Sequence, residues 1–269
     1  MKLLLAIAIL GMLLAGCSKS VDSKSKSFMY PLALGNQWTY SVVLTWDHGD
    51  PTIVDTIEGN SAIVNVTVTQ VDTIRPGVLS YTMQAIMVES MIPDKEISEF
   101  TYLNLPEGMY FLSWKTWSSA GFLMPRRVPQ PPDAISSDPP LAGFPNTPGL
   151  LAAFADPAGL TVCQGDVPAD TLPLVLAYPQ HTGLIWTYYD STDAWPYRIE
   201  KVIEGRETIT TAAGTFDCWR IRHISAPSLG RADLVDYVSP EGLIRRRSEG
   251  RMQNGLWTGI SDLTSFTLH

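Results

Sequence analysis

The chain has 269 residues, of which 45 % are hydrophobic and 17 % are charged, and its formal net charge is −8. This is the composition of a folded globular protein rather than a disordered one. The acidic balance lacks the basic excess with which nucleic-acid-binding proteins neutralise phosphates, so that class is set aside. Twenty prolines, twenty glycines, eight tryptophans and ten tyrosines favour strands and turns, and hence an all-β, mainly antiparallel fold.

The amino-terminal residues have the pattern of an export signal. Lys2 precedes an apolar run over residues 3–14, which is shorter than the ~20 residues of a transmembrane helix. The run ends in Leu14-Ala15-Gly16-Cys17, which resembles the lipobox of bacterial lipoproteins. The resemblance implies that residues 1–16 are removed, that Cys17 is acylated and that the chain is anchored in a membrane. By the same resemblance, serine at position 18 favours the outer membrane. The alternative is a plain secretory signal with an incidental cysteine.

A repeated motif organises the rest of the chain. Residues 17–28 are polar and predict a flexible tether. The pattern Y-P-x3-G-x2-W-T-Y then occurs at residues 30–40 and again, with the same spacing, at residues 178–188. Its recurrence predicts an internal duplication. We therefore expect two related curved-sheet or half-barrel modules, residues 29–124 and 178–269.

The first module shows the alternation of half-buried strands. Apolar and polar side chains alternate from Trp38 to Trp46, with the period of two that a strand requires. Further strands are predicted at residues 64–69, 81–88, 100–105 and 109–114. Pro106-Glu107-Gly108 has the chemistry of a hairpin turn between the last two. Five strands with short connections predict an antiparallel meander.

The connector, residues 125–177, is rich in proline, which excludes a central strand or a long helix. One short helix is predicted at residues 147–155, where Thr147 and Pro148 suit a helix start. The many apolar residues of the connector predict that it packs across the modules. A mobile lid over a cavity is the alternative.

Motifs in the second module resemble a family. The motif around Trp186 is followed by Ala213-Gly214-Thr215-Phe216-Asp217-Cys218 and by Pro240-Glu241-Gly242-Leu243. Together they resemble a widespread group of uncharacterised bacterial lipoproteins, whose sheets are similar to the half-barrels of lipoprotein-carrier and lipid-binding envelope proteins. The resemblance implies architecture and compartment, and it leaves the activity open.

Three sets of side chains are candidates for function. Aromatic residues on the apolar strand faces are core residues or the lining of a hydrophobic-ligand cavity: Trp38, Tyr40, Trp46, Trp186 and Tyr188. Four arginines could share a patch for an anionic group, or could pair with Glu249, Asp236, Glu200 or Glu204 on an exposed face: Arg220, Arg222, Arg245 and Arg247. Cys163 and Cys218 could form a disulfide in an oxidising compartment, or could remain buried and unpaired.

Catalytic and metal-binding motifs are absent from the sequence. The four histidines, His48, His181, His223 and His269, stand at no metal-ligand spacing and are predicted to be surface or turn residues. The sequence contains no G-x-S-x-G elbow, P-loop or H-E-x-x-H. We therefore expect no cofactor, no bound metal and no enzymatic activity.

Two functions remain for a lipid-anchored envelope protein of this kind. The first is the binding of a lipid or another hydrophobic ligand, and the second is a structural or protein-interaction role without a small-molecule ligand. An apolar cavity of several hundred Å³ inside a sheet would favour the first. Closed cores with an exposed apolar patch would favour the second.

Overall fold

The described part of the chain consists of β-strands. The computed structural model describes residues 28–47, 57–90, 96–118, 172–191, 197–225, 232–252 and 255–269, and none of these residues is helical. The strands are β1 (Gln37–Asp47), β2 (Ile57–Arg75), β3 (Val78–Ser90), β4 (Glu96–Leu105), β5 (Gly108–Ser118), β6 (Leu174–Ala177), β7 (Ile185–Ser191), β8 (Tyr197–Thr211), β9 (Gly214–Ser225), β10 (Ala232–Ser239), β11 (Gly242–Met252) and β12 (Gly255–Thr267). The predicted all-β class is confirmed.

All twelve strands belong to one antiparallel sheet. Their order is β6-β5-β4-β3-β2-β1-β12-β11-β10-β9-β8-β7, so nearly every strand pairs with its neighbours in the chain. The first strand, β1, also pairs with the last, β12, with Trp38 opposite Phe266. The sheet is therefore nearly closed, and its two edge strands are β6 and β7.

The predicted modules contribute to this single sheet rather than to two separate ones. Residues 29–124 supply β1 to β5, and residues 178–269 supply β7 to β12. The last residues of the predicted connector form β6, which pairs with β5. The predicted helix at 147–155 lies outside the described residues, as do residues 1–27 and the rest of the connector up to residue 171.

Alternation along the strands explains the core. Trp38, Tyr40 and Val42 of β1 are all buried, whereas Thr39, Ser41 and Val43 between them are not. Tyr40 of β1 lies directly opposite Val64 of β2, and both side chains are buried on the same side of the sheet. The inward side chains of the curved sheet pack together as the hydrophobic core.

The two copies of the Y-P-x3-G-x2-W-T-Y motif form the same turn. Gly35 has φ +88° and Gly183 has φ +83°, a conformation that side chains other than glycine rarely adopt. The Gly35 amide donates to the carbonyl of Val68 at 2.9 Å, and the Gly183 amide donates to that of Ile203 at 2.8 Å. Each turn therefore delivers its tryptophan to the start of a strand, β1 or β7.

The antiparallel order gives the sheet two distinct ends. The first, called the tether end here, contains residues 28–36, residues 268–269 and the turns that join β2 to β3, β4 to β5, β6 to β7, β8 to β9 and β10 to β11. At the other end, called the far end, the strands are joined by residues outside the described part of the chain.

Residues 28–34 cross the tether end of the sheet. The Phe28 backbone forms two hydrogen bonds with the Gln180 side chain, at 3.2 and 3.0 Å. The Tyr30 carbonyl accepts from Asn104 Nδ2 at 2.9 Å, and the Tyr30 hydroxyl accepts from the Leu243 amide at 3.2 Å. These bonds connect the segment to both halves of the sheet, so it covers the interior at this end.

Candidate functional site

A cavity of about 100 Å³ lies inside the sheet, and its walls differ in chemistry. The wall from the first half of the sheet and β6 is mainly apolar and carries no charged side chain; besides Tyr102 it contains Val66, Met83, Ala85, Phe100, Met109, Val175 and Leu176. The wall from the second half contains Lys201, Asp236 and Arg246 beside Ile221, Val238 and Leu243. Tyr30 and Tyr40 also line the cavity. A polar group and an apolar group could both be accommodated in such a space.

Asp236 is the centre of the polar wall. Arg246 donates to it through Nε at 2.6 Å and through Nη2 at 2.9 Å, which is a bidentate pair. His223 Nε2 lies 2.9 Å from Asp236 Oδ2. All three side chains are buried, and Arg246 is directly opposite Asp236 in the β10–β11 ladder. The sheet register therefore holds this cluster in place.

The charges of the cluster follow from burial and from its ion pair. Burial lowers the pKa of His223 to about 4, and the positive charge of Lys201 adds to this effect. Although burial opposes it, the Arg246 guanidinium, together with His223, keeps the pKa of Asp236 well below its usual range. Near neutral pH, His223 is therefore neutral and Asp236 is an anion. His223 Nε2 then carries the proton that it donates, and Nδ1 is a buried acceptor that finds no hydrogen-bond partner among the described residues.

Lys201 extends the polar wall toward the edge of the sheet. It lies directly opposite His223 in the β8–β9 ladder. Its ammonium group donates to the carbonyl of Val175 on β6 at 3.0 Å and lies 4.2 Å from the centre of the Tyr188 ring. The lysine therefore links β8 to the edge strand β6 across the gap in the sheet.

Two tyrosines complete the polar side of the cavity. The Tyr40 hydroxyl donates to the Leu243 carbonyl at 3.0 Å, whereas the Tyr30 hydroxyl accepts from the amide of the same residue. Burial raises the pKa of Tyr30 to about 12 and that of Tyr40 well above its usual value. Both phenols are therefore neutral hydrogen-bonding groups at physiological pH.

The predicted ligand-lining aromatics are not gathered into one site. Tyr40 lines the cavity, while Trp38, Trp186 and Tyr188 are buried in the sheet without lining it. The Trp38 indole donates to the Glu241 carbonyl at 2.6 Å, and the Trp186 indole donates to the Leu174 carbonyl at 2.8 Å. The side chain of Trp46 lies outside the described part of the structure. A role for these aromatics in ligand binding stays a prediction.

The four predicted arginines lie on the face of the sheet opposite the cavity. Arg220 and Arg222 both pair with Glu204, at 3.1 and 2.6 Å. Arg245 forms a bidentate pair with Asp262, and Arg247 pairs with Glu249. A carboxylate therefore accompanies every arginine of the set. The pairs with Glu204 join β9 to β8, as the alternative of cross-strand pairing expected, whereas Arg247 and Glu249 lie two residues apart on β11. An anion-binding role of this patch stays a prediction.

Two of the expected pairing partners lie elsewhere. Asp236 was expected on an exposed face beside these arginines, but it is buried inside the sheet and pairs with Arg246. Glu200 pairs with Arg198 at 2.7 Å. The expectation for Asp236 is wrong because Asp236 is on the same side of β10 as Val238, which lines the cavity.

The prediction for the histidines holds only in part. His181 and His269 are exposed, and His48 lies outside the described residues. His223 was predicted as a surface or turn residue, but it is buried within β9. The alternation of a strand predicts this burial. Arg220 and Arg222 face outward, so Ile221 and His223, which alternate with them along β9, must face inward. The same alternation places Arg246 inward between Arg245 and Arg247.

Among the described residues Cys218 has no disulfide partner, and burial raises the pKa of its thiol to about 12. Such a thiol is a poor nucleophile. Cys163 lies outside the described residues, so a disulfide between the two cysteines stays a prediction. The acylation site, Cys17, also lies outside them. Within the described residues no cluster of three metal-ligating side chains occurs, and no helix could span a membrane.

The described part of the chain is thus an all-β protein whose nearly closed antiparallel sheet has a polar wall in its interior. No family model and no curated protein matches the chain. Similar solved structures include a "putative exported protein with YmcC-like fold" from Bacteroides fragilis, which is 12 % identical, covers 90 % of this chain and 100 % of its own, and has a TM-score of 0.40. A "putative lipoprotein" from Parabacteroides distasonis is 15 % identical, covers 90 % of this chain and 99 % of its own, and has a TM-score of 0.33. At these values, neither similarity identifies an activity or a ligand.

Proposed function

We propose that this protein is a lipid-anchored lipoprotein of the bacterial cell envelope that binds a lipid or another hydrophobic ligand inside its sheet. Its anchor is the acylated Cys17, and the outer membrane is the favoured location because serine follows that cysteine. The folded part faces the periplasm or the cell surface. The protein acts by binding and not by catalysis.

The split lining of the interior cavity is the observation that carries this proposal. Apolar side chains such as Met83 and Phe100 offer a surface for a hydrocarbon segment. Asp236, Arg246 and the tyrosine hydroxyls across the cavity offer hydrogen-bonding groups to a polar end. A ligand with both parts, such as a lipid or a compact amphiphile, would use the two walls at once.

The volume of the cavity limits how much of a ligand it can enclose. About 100 Å³ is less than the several hundred Å³ of a typical ligand pocket. An apolar cavity of ~150 Å³ is enough for benzene. We therefore infer that only a segment of the ligand, such as the end of an acyl chain, enters the space bounded by the described residues.

Native mass spectrometry with lipid extraction tests the proposal. A form in which a cleavable secretory signal without a lipobox replaces residues 1–17 would be purified from the periplasm and then offered envelope lipids. A stoichiometric apolar mass that remains bound supports the proposal. A clean apo mass before and after the lipids are offered would contradict it.

A matched pair of variants locates the ligand. Ala85 is fully buried and lines the cavity, so Ala85→Leu places extra carbon atoms in the cavity and should abolish co-purification. Met87 is on the same strand and the same face, but it does not line the cavity. Met87→Leu conserves volume and should leave the bound mass unchanged. Thermal unfolding would show that both variants fold.

The small cavity favours one alternative function. A structural or protein-interaction lipoprotein needs no interior ligand, and a closed core would serve it well. A clean apo mass, together with Ala85→Leu behaving like the parent protein, would make this the working model.

A further inference from the structure

We propose that the tether end of the sheet docks on the surface of the bilayer that holds the acylated Cys17. The inference concerns an outer surface and is independent of the cavity ligand. It rests on the predicted acylation of Cys17, which is part of the proposed function.

Exposed apolar side chains are concentrated at the tether end. Ten large hydrophobic side chains of the described residues are exposed, and six of them are at this end: Met29, Leu34, Ile74, Leu79, Ile185 and Leu268. The other four, Val43, Val88, Ile224 and Ile260, lie on strands nearer the far end. Single exposed hydrophobics are ordinary, but their accumulation at one end of a protein indicates an interaction surface.

Hydrogen bonds hold these side chains around the rim of the tether end. The His269 amide donates to Asn36 Oδ1 at 2.7 Å, which brings Leu268 beside the turn that contains Leu34. Met29 follows Phe28, whose backbone is bonded to Gln180 just before β7 begins. Ile74 and Leu79 flank the β2–β3 turn. The rim therefore presents apolar groups from both halves of the sheet.

The position of the tether selects the bilayer as the partner. Only ten residues separate Cys17 from Phe28. A fully extended chain spans at most ~3.6 Å per residue, so Phe28 can be no more than about 40 Å from the acylated cysteine. Because Phe28 is at the tether end, the chain leads from the acylated cysteine to the exposed apolar rim before it reaches any other part of the sheet.

Apolar contact, rather than charge, is the attraction that the described surface offers. The exposed groups at this end include Asp72 and Glu107 as well as Arg75, so the rim is not basic. Leucine, isoleucine and methionine side chains bind at a membrane interface by burying apolar area. Docking of this kind should depend little on salt concentration.

Fluorescence quenching in vesicles measures which end contacts the bilayer. The acylated protein would be reconstituted in phosphatidylethanolamine and phosphatidylglycerol vesicles whose acyl chains carry nitroxides. A fluorophore would be attached through Leu79→Cys or Val88→Cys, which are 40 % and 39 % exposed on the same strand. The unsubstituted protein corrects for labelling of Cys163 and Cys218.

The two labelled positions should give different results. Nine residues of strand separate them by about 30 Å, at ~3.3 Å per residue. Quenching several-fold stronger at position 79 than at position 88 is expected. Equal quenching, or stronger quenching at position 88, would overturn the inference and leave the acyl anchor as the only membrane contact.

A second pair of variants tests the apolar contact itself. Leu34→Asp combined with Ile185→Asp should remove most of the quenching at position 79, because charged groups replace two rim side chains. Val43→Asp combined with Ile260→Asp alters two exposed residues that face each other away from the rim, and it should have no effect. Unchanged quenching in the first pair would contradict docking through the rim. These quenching measurements do not depend on whether native mass spectrometry detects a bound ligand. Membrane docking and ligand binding can therefore be refuted separately.

Discussion

The two halves of the sheet share their turns but differ in their inner faces. Gly35 and Gly183 form the same turn and receive the same type of backbone hydrogen bond, to Val68 and Ile203. Among the described residues, however, all buried lysine, arginine, histidine and acidic side chains come from the second half: Lys201, His223, Asp236 and Arg246. The facing wall from the first half carries no charged side chain and is mainly apolar.

Stability alone gives little reason for this difference. A buried ion pair costs desolvation that its attraction only partly offsets, and an apolar replacement of the same volume is often at least as stable. The described part of the first half shows that this sheet can be built without charged side chains on its inner face. A ligand with a polar group, as proposed above, would give the polar wall of the second half a function.

The largest effect is expected from breaking this buried pair. Asp236→Ala leaves the Arg246 guanidinium without its bidentate carboxylate inside the protein. We expect the free energy of unfolding to fall by about 3–5 kcal/mol. Urea denaturation followed by circular dichroism would measure the loss.

An ion pair on the opposite face of the sheet is the matched control. Arg245 and Asp262 also form a bidentate pair, but both side chains are about 30 % exposed. Asp262→Ala should cost no more than about 1 kcal/mol. Equal losses for the two substitutions would show that burial does not distinguish the two faces.

The next effect is a dependence of stability on pH. The pKa of His223 is about 4 in the folded protein, against an ordinary value of 6.5. Between these values the unfolded chain binds a proton that the folded protein does not. Stability is therefore fully present above pH 6.5 and falls as the pH drops toward 4, by about 3 kcal/mol in total. The lowered pKa of Asp236 adds a further loss below the ordinary carboxyl range.

His223→Gln separates the histidine from the other titrating groups. Glutamine can donate to Asp236 but does not titrate, so the variant should lose less stability between pH 6.5 and 4 than the parent. Denaturant titrations at half-unit pH steps would show the difference. Parallel curves for the two proteins would contradict a buried neutral His223.

Local alternation predicted the strands of the first module but not the closure of the sheet. The period of two around Trp38 and the turn at Pro106-Glu107-Gly108 correspond to β1 and to the β4–β5 hairpin. The pairing of β1 with β12 joins Trp38 to Phe266, far apart in the chain. No local pattern encodes such a pairing, because it depends on how the curvature of the whole sheet brings its strands together.

The polar wall could have been found from the sequence in part. Alternation that turns Arg245 and Arg247 outward must turn Arg246 inward, and a buried arginine requires a carboxylate. The identity of that carboxylate, Asp236, depends on the register between β10 and β11. A register shift next to Tyr237 changes that alignment, and it leaves no clear signal in the sequence.

The smallest expected losses of stability come from two tryptophan substitutions, one at the centre of the sheet and one at its edge. Trp38 is on β1, which has hydrogen-bonded neighbours on both sides, whereas Trp186 is on the edge strand β7. Trp38→Phe removes the indole bond to the Glu241 carbonyl and leaves a small void, which should lower the free energy of unfolding by about 2 kcal/mol. Trp186→Phe should lower it by about 1 kcal/mol or less, because it loosens only the contact with β6.

Amide hydrogen exchange distinguishes a local opening from a global one. The Leu174 carbonyl of β6 would lose its indole donor in Trp186→Phe, while Lys201 would still bind the neighbouring Val175 carbonyl. Exchange should therefore accelerate at Leu174–Ala177 without a change in the slowest amides of β1. In Trp38→Phe the slowest amides should accelerate together, because β1 joins the two halves of the sheet. If both substitutions accelerated exchange of the slowest amides, the edge and the centre of the sheet would unfold as one cooperative unit. The edge strands β6 and β7 would then not open independently of the rest of the sheet.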